Sequence, residues 1–235
     1  MSDHMKRLAA PRTWPLKRKV SVWATKQSPG AHSLESGMPA VMVLRDMIKV
    51  CDTAKEAKRI IGNRELFVDG TAVKNPKAPI GVMDTISIPK MNLSYRMLLT
   101  DKGKLTIVPI SEDDAKWKLC RIEGKTKISG GRIQLNLSGG RNIVLDKNMY
   151  KSGDTLKIEV ADQKVLGTYP LADGASALII SGALAGKVDV IADYVTVKGP
   201  SDNIVRFKSG TETVKRNVFI IGSSKPEIKL PEASE

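Results

Sequence analysis

Thr53-Ala-Lys-Glu56-Ala-Lys-Arg-Ile-Ile-Gly62-Asn-Arg-Glu-Leu66-Phe-Val-Asp69-Gly70-Thr-Ala-Val73 is the stretch that decides the fold. Thr53 followed by Glu56 has the S/T-x-x-E form of a capping box, in which hydroxyl and carboxylate satisfy each other's free backbone amides at a helix start. The helix that begins there buries Ala54, Ala57, Ile60 and Ile61, gathers Lys55, Lys58 and Arg59 at i, i+3 and i+4, and ends at Gly62. Leu66 to Val68, Asp69-Gly70 and Thr71 to Val73 read as a hairpin, because a tight hairpin turn needs the positive φ values that Asp-Gly tolerates.

Upstream, Ala40, Val41, Val43, Leu44, Met47, Ile48, Val50 and Cys51 repeat at helical spacing and leave Arg45 and Lys49 one turn apart on the opposite face. Downstream of Pro76 and Pro79, Asp84 to Ile88 adds a strand with Ile86 and Ile88 on one side. Helix, helix, hairpin and strand make a unit of about 50 to 60 residues, close to the lower limit for an independent core.

The residues before this unit behave differently. Up to about Pro39 the chain carries Pro11, Pro15, Pro29 and Pro39 among Lys6, Arg7, Arg12, Lys17, Arg18 and Lys19, with no sustained period. Such a segment is expected to be a mobile arm that orders on a partner. Trp14 and Trp23, two of the three tryptophans, argue against a merely solvated tail.

After Tyr95 come short alternating runs at 104–110, 118–122, 133–137, 143–145 and 156–160, separated by Gly, Asp and Asn, the cadence of an antiparallel β domain. Ser111 with Asp114 again fits a helix cap before Ala115, Trp117 and Leu119. Ser129-Gly-Gly-Arg132 and Ser138-Gly-Gly-Arg141 read as two turns flanking one strand. Residues 177–222 repeat the strand cadence, and 223–235 read as a polar tail. The fold class is therefore α+β and multidomain, with expected boundaries at 1–40, 41–90, 91–170, 171–222 and 223–235.

Charge bounds the partner. The 235 residues hold 38 Lys and Arg against 25 Asp and Glu, a formal net charge of +13. The excess over residues 1–40, 41–90, 91–170 and 171–235 is +5, +3, +5 and 0. A polyanion is expected against the first three segments.

Enzyme chemistry finds no foothold. Gly124-Lys125-Thr126 lacks the glycine of a phosphate loop where Leu119 stands, and no two glycines are spaced as in the dinucleotide fingerprint. Glu112, Asp113 and Asp114 sit where a helix dipole favours carboxylates, so a cap is the simpler reading than a metal or acid/base cluster. His4 and His32 are the only histidines, and Cys51 and Cys120 lack zinc or disulfide spacing. No cofactor, metal, membrane span, secretory leader or small-molecule substrate is expected, which leaves a soluble cytoplasmic protein. Few aromatics and no aromatic RNA-binding strand point to phosphate and shape contacts.

Several stretches in order resemble one family. They are His4-Met-Lys-Arg-Leu-Ala-Ala-Pro11 with Trp14, Gly30-Ala-His32, Leu44-Arg45, Gly81-Val-Met-Asp84 and Ile86-Ser-Ile88. Tyr95-Arg96, Asp101-Lys-Gly103, Ala115-Lys-Trp-Lys-Leu-Cys120 and Asn217-Val-Phe-Ile-Ile-Gly222 follow. Over nearly its whole length the chain is similar to the archaeal and eukaryotic small-subunit ribosomal protein family S4e. The resemblance implies an S4-type RNA-binding domain at about Val41 to Lys90, flanked by a basic arm, a central β domain and a C-terminal SH3-like KOW barrel. It implies a structural role in the small ribosomal subunit, with small-subunit ribosomal RNA and neighbouring ribosomal proteins as partners. Carried over by position, Arg45, Lys49, Lys55, Lys58, Arg59 and Arg64 form the basic face, with Lys6, Arg7 and Arg12 in the arm. Lys17, Arg18, Lys19 and Lys74 complete the expected RNA-binding set. Ala183 and Asp189 stand where the family's barrel usually has glycine; with the zero net charge there, this speaks against RNA contact by the barrel. An RNA-modifying enzyme that docks through the helix pair, or a KOW-containing transcription factor, are the rival readings.

Overall fold

The capping box forms as written. In the computed structural model, which describes residues 4–146 and 149–231, Thr53 Oγ1 accepts from the Glu56 amide at 3.2 Å, and Glu56 Oε2 accepts from the Thr53 amide at 3.2 Å. Helix α2 (Ala54–Gly62) follows, with Ala57 and Ile61 buried. Before it, α1 (Ala40–Met42) widens into a π-helical stretch, Val43–Ile48, and ends at Lys49 in the left-handed region, φ 61°. The widening is a difference from the expected regular helix. Val50 N bonds Leu44 O at 3.2 Å across the wide turn, and Ala40 to Leu44 remain buried.

Strands β4 (Phe67–Val68) and β5 (Thr71–Ala72) form the hairpin, with Asp69 at φ 48° and Gly70 at φ 69°. The Asp69 carboxylate also accepts from the Thr85 amide at 3.1 Å, which ties the turn to the next strand. Around them the chain lays down β1 (His4–Lys6), β2 (Trp23–Thr25), β3 (Gly37–Pro39), β6 (Pro79–Gly81), β7 (Thr85–Ile88), β8 (Leu93–Leu99) and β9 (Leu105–Pro109). Five of these make an antiparallel sheet in the order β5-β4-β7-β8-β9, while β1-β2 and β3-β6 are two-stranded ribbons. Leu66, Ile80, Ile86, Met97 and Leu98 are wholly buried against it. Each fully buried side chain of this size contributes about 1.5–3 kcal/mol.

The expected boundary after residue 90 is corrected. The chain divides into two compact units, the first running through Leu99 and including Lys104–Lys116, the second comprising Thr100–Gly103 and everything from Trp117. Strands β8 and β9 pair onto β7, so they complete the N-terminal sheet rather than begin a central domain. Short helix α3 (Glu112–Ala115) closes this unit, with Ser111 accepting from the Asp114 amide as its cap. The buried Arg96 guanidinium donates to Asp114 O at 2.8 Å. Burial pulls the pKa of Arg96 down to about 10, against the upward pull of Asp114 and Asp69.

The free-arm expectation is corrected as well. Trp14 is 1% exposed, and its indole donates to Gly37 O at 2.8 Å and Leu34 O at 3.2 Å. Leu105 N bonds Thr13 O at 2.7 Å, and Ser28 N bonds Lys77 O at 2.9 Å. His32 Nε2 lies 2.8 Å from Asp84 Oδ2, its ring over Gly81, where a Cβ would sit 2.2 Å from the imidazole. Bonds from side chains to scattered carbonyls hold this segment in place, and they leave no periodic signature. Residues 1–3 of the expected arm lie outside the described residues.

In the second unit β10 (Trp117–Lys127) spans two partners, and the sheet runs β12 (Asn142–Leu145), β11 (Ile133–Leu137), β10, β13 (Thr155–Glu159), β14 (Val165–Tyr169). Cys120, Ile122, Leu135, Leu137, Leu156 and Ile158 form its core. The two Ser-Gly-Gly stretches are turns on either side of β11, with Gly130, Gly131, Gly139 and Gly140 all at positive φ. A final antiparallel sheet follows in the order β18 (Glu212–Val214), β17 (Ile204–Phe207), β16 (Val188–Val195), β15 (Ser176–Ile179), β19 (Val218–Gly222). Its core includes Ala177, Ile179, Ile191, Val205, Phe207 and Ile220. Arg121 of β10 donates to Val218 O at 3.0 Å and also to Arg216 O, fastening the two sheets of this unit.

Gly186 has φ 94°, and a Cβ there would lie 1.8 Å from Thr100 O, so glycine is required. Ala183 and Asp189 are not at positive φ; Asp189 sits in β16 opposite Ala177. The two departures therefore fall where the backbone does not call for glycine. Of the expected polar tail, Glu227 N bonds Ile221 O at 2.8 Å and Ile228 is buried, which makes that stretch part of the fold. Residues 232–235 lie outside the described residues. The protein is thus multidomain and mostly β, with three α-helices among the described residues.

Candidate nucleic-acid interface

Helix α2 places Lys55, Lys58 and Arg59 on its exposed side because Ala57 and Ile61 are committed to the core. Glu56 stands among them, and its carboxylate is turned away: Oε2 accepts from the amides of Asp52 at 3.1 Å and Thr53 at 3.2 Å. Those backbone bonds hold the Glu56 carboxyl below its ordinary range. The one acid on the helix thus caps it and forms no ion pair with the neighbouring cations. Lys49 and Arg64, both exposed and both at positive φ, stand at the ends of the two helical segments, where cations suit the negative pole of the helix dipole. Lys74 is exposed just past β5. Among the described residues no carboxylate lies within 4.0 Å of the charged atoms of Lys49, Lys55, Lys58, Arg59, Arg64 or Lys74.

In the N-terminal segment Lys6, Arg12, Lys17 and Lys19 are exposed. Arg7 is buried, its Nε donating to Lys17 O at 2.6 Å. Arg18 donates to Ala10 O at 2.6 Å, Pro11 O at 2.7 Å and Leu8 O at 3.2 Å. Arg45 is bound bidentately to Asp46, at 3.0 and 2.8 Å, and that hydrogen bonding raises its pKa. These three guanidinium groups are spent on the protein itself. The ten remaining cations of the expected set face solvent.

Two more exposed cations, Lys127 and Arg132, flank the Ser129–Gly131 turn between β10 and β11. Sequence reasoning counted their charge within the +5 of residues 91–170 but did not single them out. A Gly-Gly turn bracketed by cations was the available signal. Among the described residues no group of three His, Cys, Asp or Glu side chains is arranged to hold a metal ion, and no helix is long and apolar enough to cross a membrane.

Residues 91–165 match the ribosomal family S4e, and residues 1–35 match the RS4NT domain. The small ribosomal subunit protein eS4 of Methanosphaera stadtmanae is 42% identical over 230 residues, covering 97% of this chain and 95% of the relative. The chain belongs to the S4e family of ribosomal proteins. The eS4 protein of Methanocella arvoryzae is 38% identical over 230 residues, covering 97% of each chain. The crystal structure of the 30S ribosomal protein S4e from Thermoplasma acidophilum superposes with a TM-score of 0.71 at 33% identity, over 80% of this chain and 96% of that one. Membership of the S4e family makes the chain a ribosomal structural protein and not an enzyme, which disposes of the RNA-modifying rival.

Proposed function

We propose that this chain is a structural constituent of the small ribosomal subunit that binds and organises small-subunit ribosomal RNA, chiefly through the outward cations of α2 and the N-terminal segment. The observation that carries the reading is the side of α2 where Lys55, Lys58 and Arg59 stand exposed while Glu56 is withdrawn into the cap. Three exposed cations on one helix face, none of them in an ion pair among the described residues, suit contact with RNA phosphates. In this reading Lys49, Arg64, Lys74, Lys6, Arg12, Lys17 and Lys19 extend the same phosphate-contacting surface. Arg7, Arg18 and Arg45 shape it from within. The final sheet is the SH3-like KOW module, and its balanced charge suits contact with a neighbouring ribosomal protein. The setting is the cytoplasm.

Sedimentation of cell lysate at high and low magnesium tests the assignment: the protein should travel with small subunits under both conditions. Finding it only in light soluble fractions would refute the ribosomal reading. On the purified protein, reversing Lys55, Lys58 and Arg59 to Glu should weaken RNA binding and flatten its salt dependence by about 0.7 to 0.9 per lost phosphate contact. An unchanged slope would show that another face meets the RNA.

A further inference from the structure

The two-stranded ribbon at the N-terminus carries an aromatic face that the phosphate reading leaves unused. In β1 Met5 points inward and is buried, while His4 and Lys6 point outward. Lys6 is paired directly with Trp23 of β2, and His4 with Thr25, so all four stand on the same outer side of the ribbon. Trp23 is 58% exposed. Its ring meets the His4 ring at a centroid distance of 5.8 Å and a tilt of 54°, and more than half of the tryptophan stays accessible. The other two tryptophans are differently employed: Trp14 is buried and Trp117 lies under the Lys157 ammonium at 4.0 Å.

Residues 4–25 contain six Lys and Arg and no Asp or Glu. Leu8, Val20 and Val22, close to the two strands in sequence, are exposed at 68%, 72% and 65% and add further apolar surface. A partner for this surface must be anionic and must also offer something flat and apolar. An unpaired nucleotide does both in one unit, with its base for the indole and its phosphate for the adjacent lysine.

We propose that the outer face of the β1–β2 ribbon is a stacking platform for an unpaired base of RNA, with Trp23 as the stacking ring, His4 bracing its edge and Lys6 taking the adjoining phosphate. This rests on the RNA-binding reading above and adds to it a distinct chemistry, recognition of single-stranded rather than helical RNA. The ribbon's strand pairing fixes the backbone that carries the ring before RNA arrives, which lowers the ordering cost of binding.

The test uses the full-length protein and a fluorescently labelled oligouridine of about ten nucleotides, beside an abasic ribose-phosphate oligomer of the same length. Trp23→Ala should reduce affinity for oligouridine about tenfold, leave its salt slope unchanged and leave binding of the abasic oligomer unchanged. Trp23→Phe should restore most of the loss, and the melting temperature should be unaffected because the ring contributes little to the core. Undiminished oligouridine binding by Trp23→Ala would overturn the proposal, as would an equal loss on both oligomers. Either result would leave the phosphate-contacting role of α2 standing, and would turn this face over to a protein partner. Failure of the unmodified protein to bind oligouridine would overturn the platform alone, because the α2 reading is tested separately on ribosomal RNA.

Discussion

The N-terminal segment and the final sheet hold comparable numbers of basic residues and engage their arginines differently. In residues 4–39 the arginines at 7 and 18 donate into backbone carbonyls, while the lysines at 6, 17 and 19 stand outward with no acid nearby. In the final sheet two arginines meet carboxylates instead: Arg206 to Glu212 at 2.7 Å and Arg216 to Asp202 at 3.4 Å. The lesson is that a polyanion-binding surface depends on where acids are withheld, more than on where bases are supplied. Planar guanidinium groups, able to serve several carbonyls at once, do the internal work in the first region, and flexible lysines are left for the partner.

The strongest way to break this contrast is at Trp14. If the N-terminal segment is part of the fold, Trp14→Ala should destabilise the first unit by about 3–5 kcal/mol, seen as a lowered urea midpoint; an unchanged midpoint would return the segment to the status of a loose arm. Next comes charge. Reversing Lys6, Lys17 and Lys19 to Glu should cut RNA affinity at least tenfold at about 0.1 M salt and lower the salt slope by about 2. The same reversal at Lys187, Lys198 and Lys208 of the final sheet should change affinity less than about twofold. Equal losses would erase the distinction between the regions.

Helix α2 offers a finer test, since it carries both an acid and the bases. Thr53→Ala should cost about 1 kcal/mol. Because Glu56 is held below its ordinary value of 4.5, its stabilisation is complete above that pH and is lost as pH falls through the lower folded value. Glu56→Gln should therefore unfold more easily than the unmodified protein at neutral pH, and the gap should close in acid. A gap independent of pH would mean that the carboxylate does not act through its charge. The smallest effect is expected at Lys49, where glycine would relieve the left-handed backbone. Lys49→Gly should gain about 0.5 kcal/mol of stability while losing one phosphate contact. Urea titration and salt-dependent RNA binding would read the two changes separately.

What could be read in the sequence was local. The capping pair Thr53 and Glu56, the Asp69-Gly70 turn, the Ile86 and Ile88 alternation and the paired Ser-Gly-Gly turns each announce themselves within a few residues, and each is found. The N-terminal packing could not be read because one indole and two guanidinium groups bonded to distant carbonyls leave no period. The boundary at residue 90 failed because β8 and β9 have the same alternating cadence as the strands after them; only their pairing with β7 assigns them. In the candidate interface the exposure of Lys55, Lys58 and Arg59 could be read from their helical spacing. Which cations are spent internally could not, because the direction of Arg7, Arg18 and Arg45 depends on tertiary acceptors.

Strand order carries one more consequence, in time. The first sheet needs no residue beyond Pro109, whereas β15 is flanked by β16 and by β19, the last strand of the chain. On a translating ribosome, whose chain emerges from the N-terminus, the exposed cations of α2 and the N-terminal segment are in place first, and the final sheet closes only after Gly222 has been made. In the proposed role, contact with RNA can begin while the protein's own synthesis is still being finished.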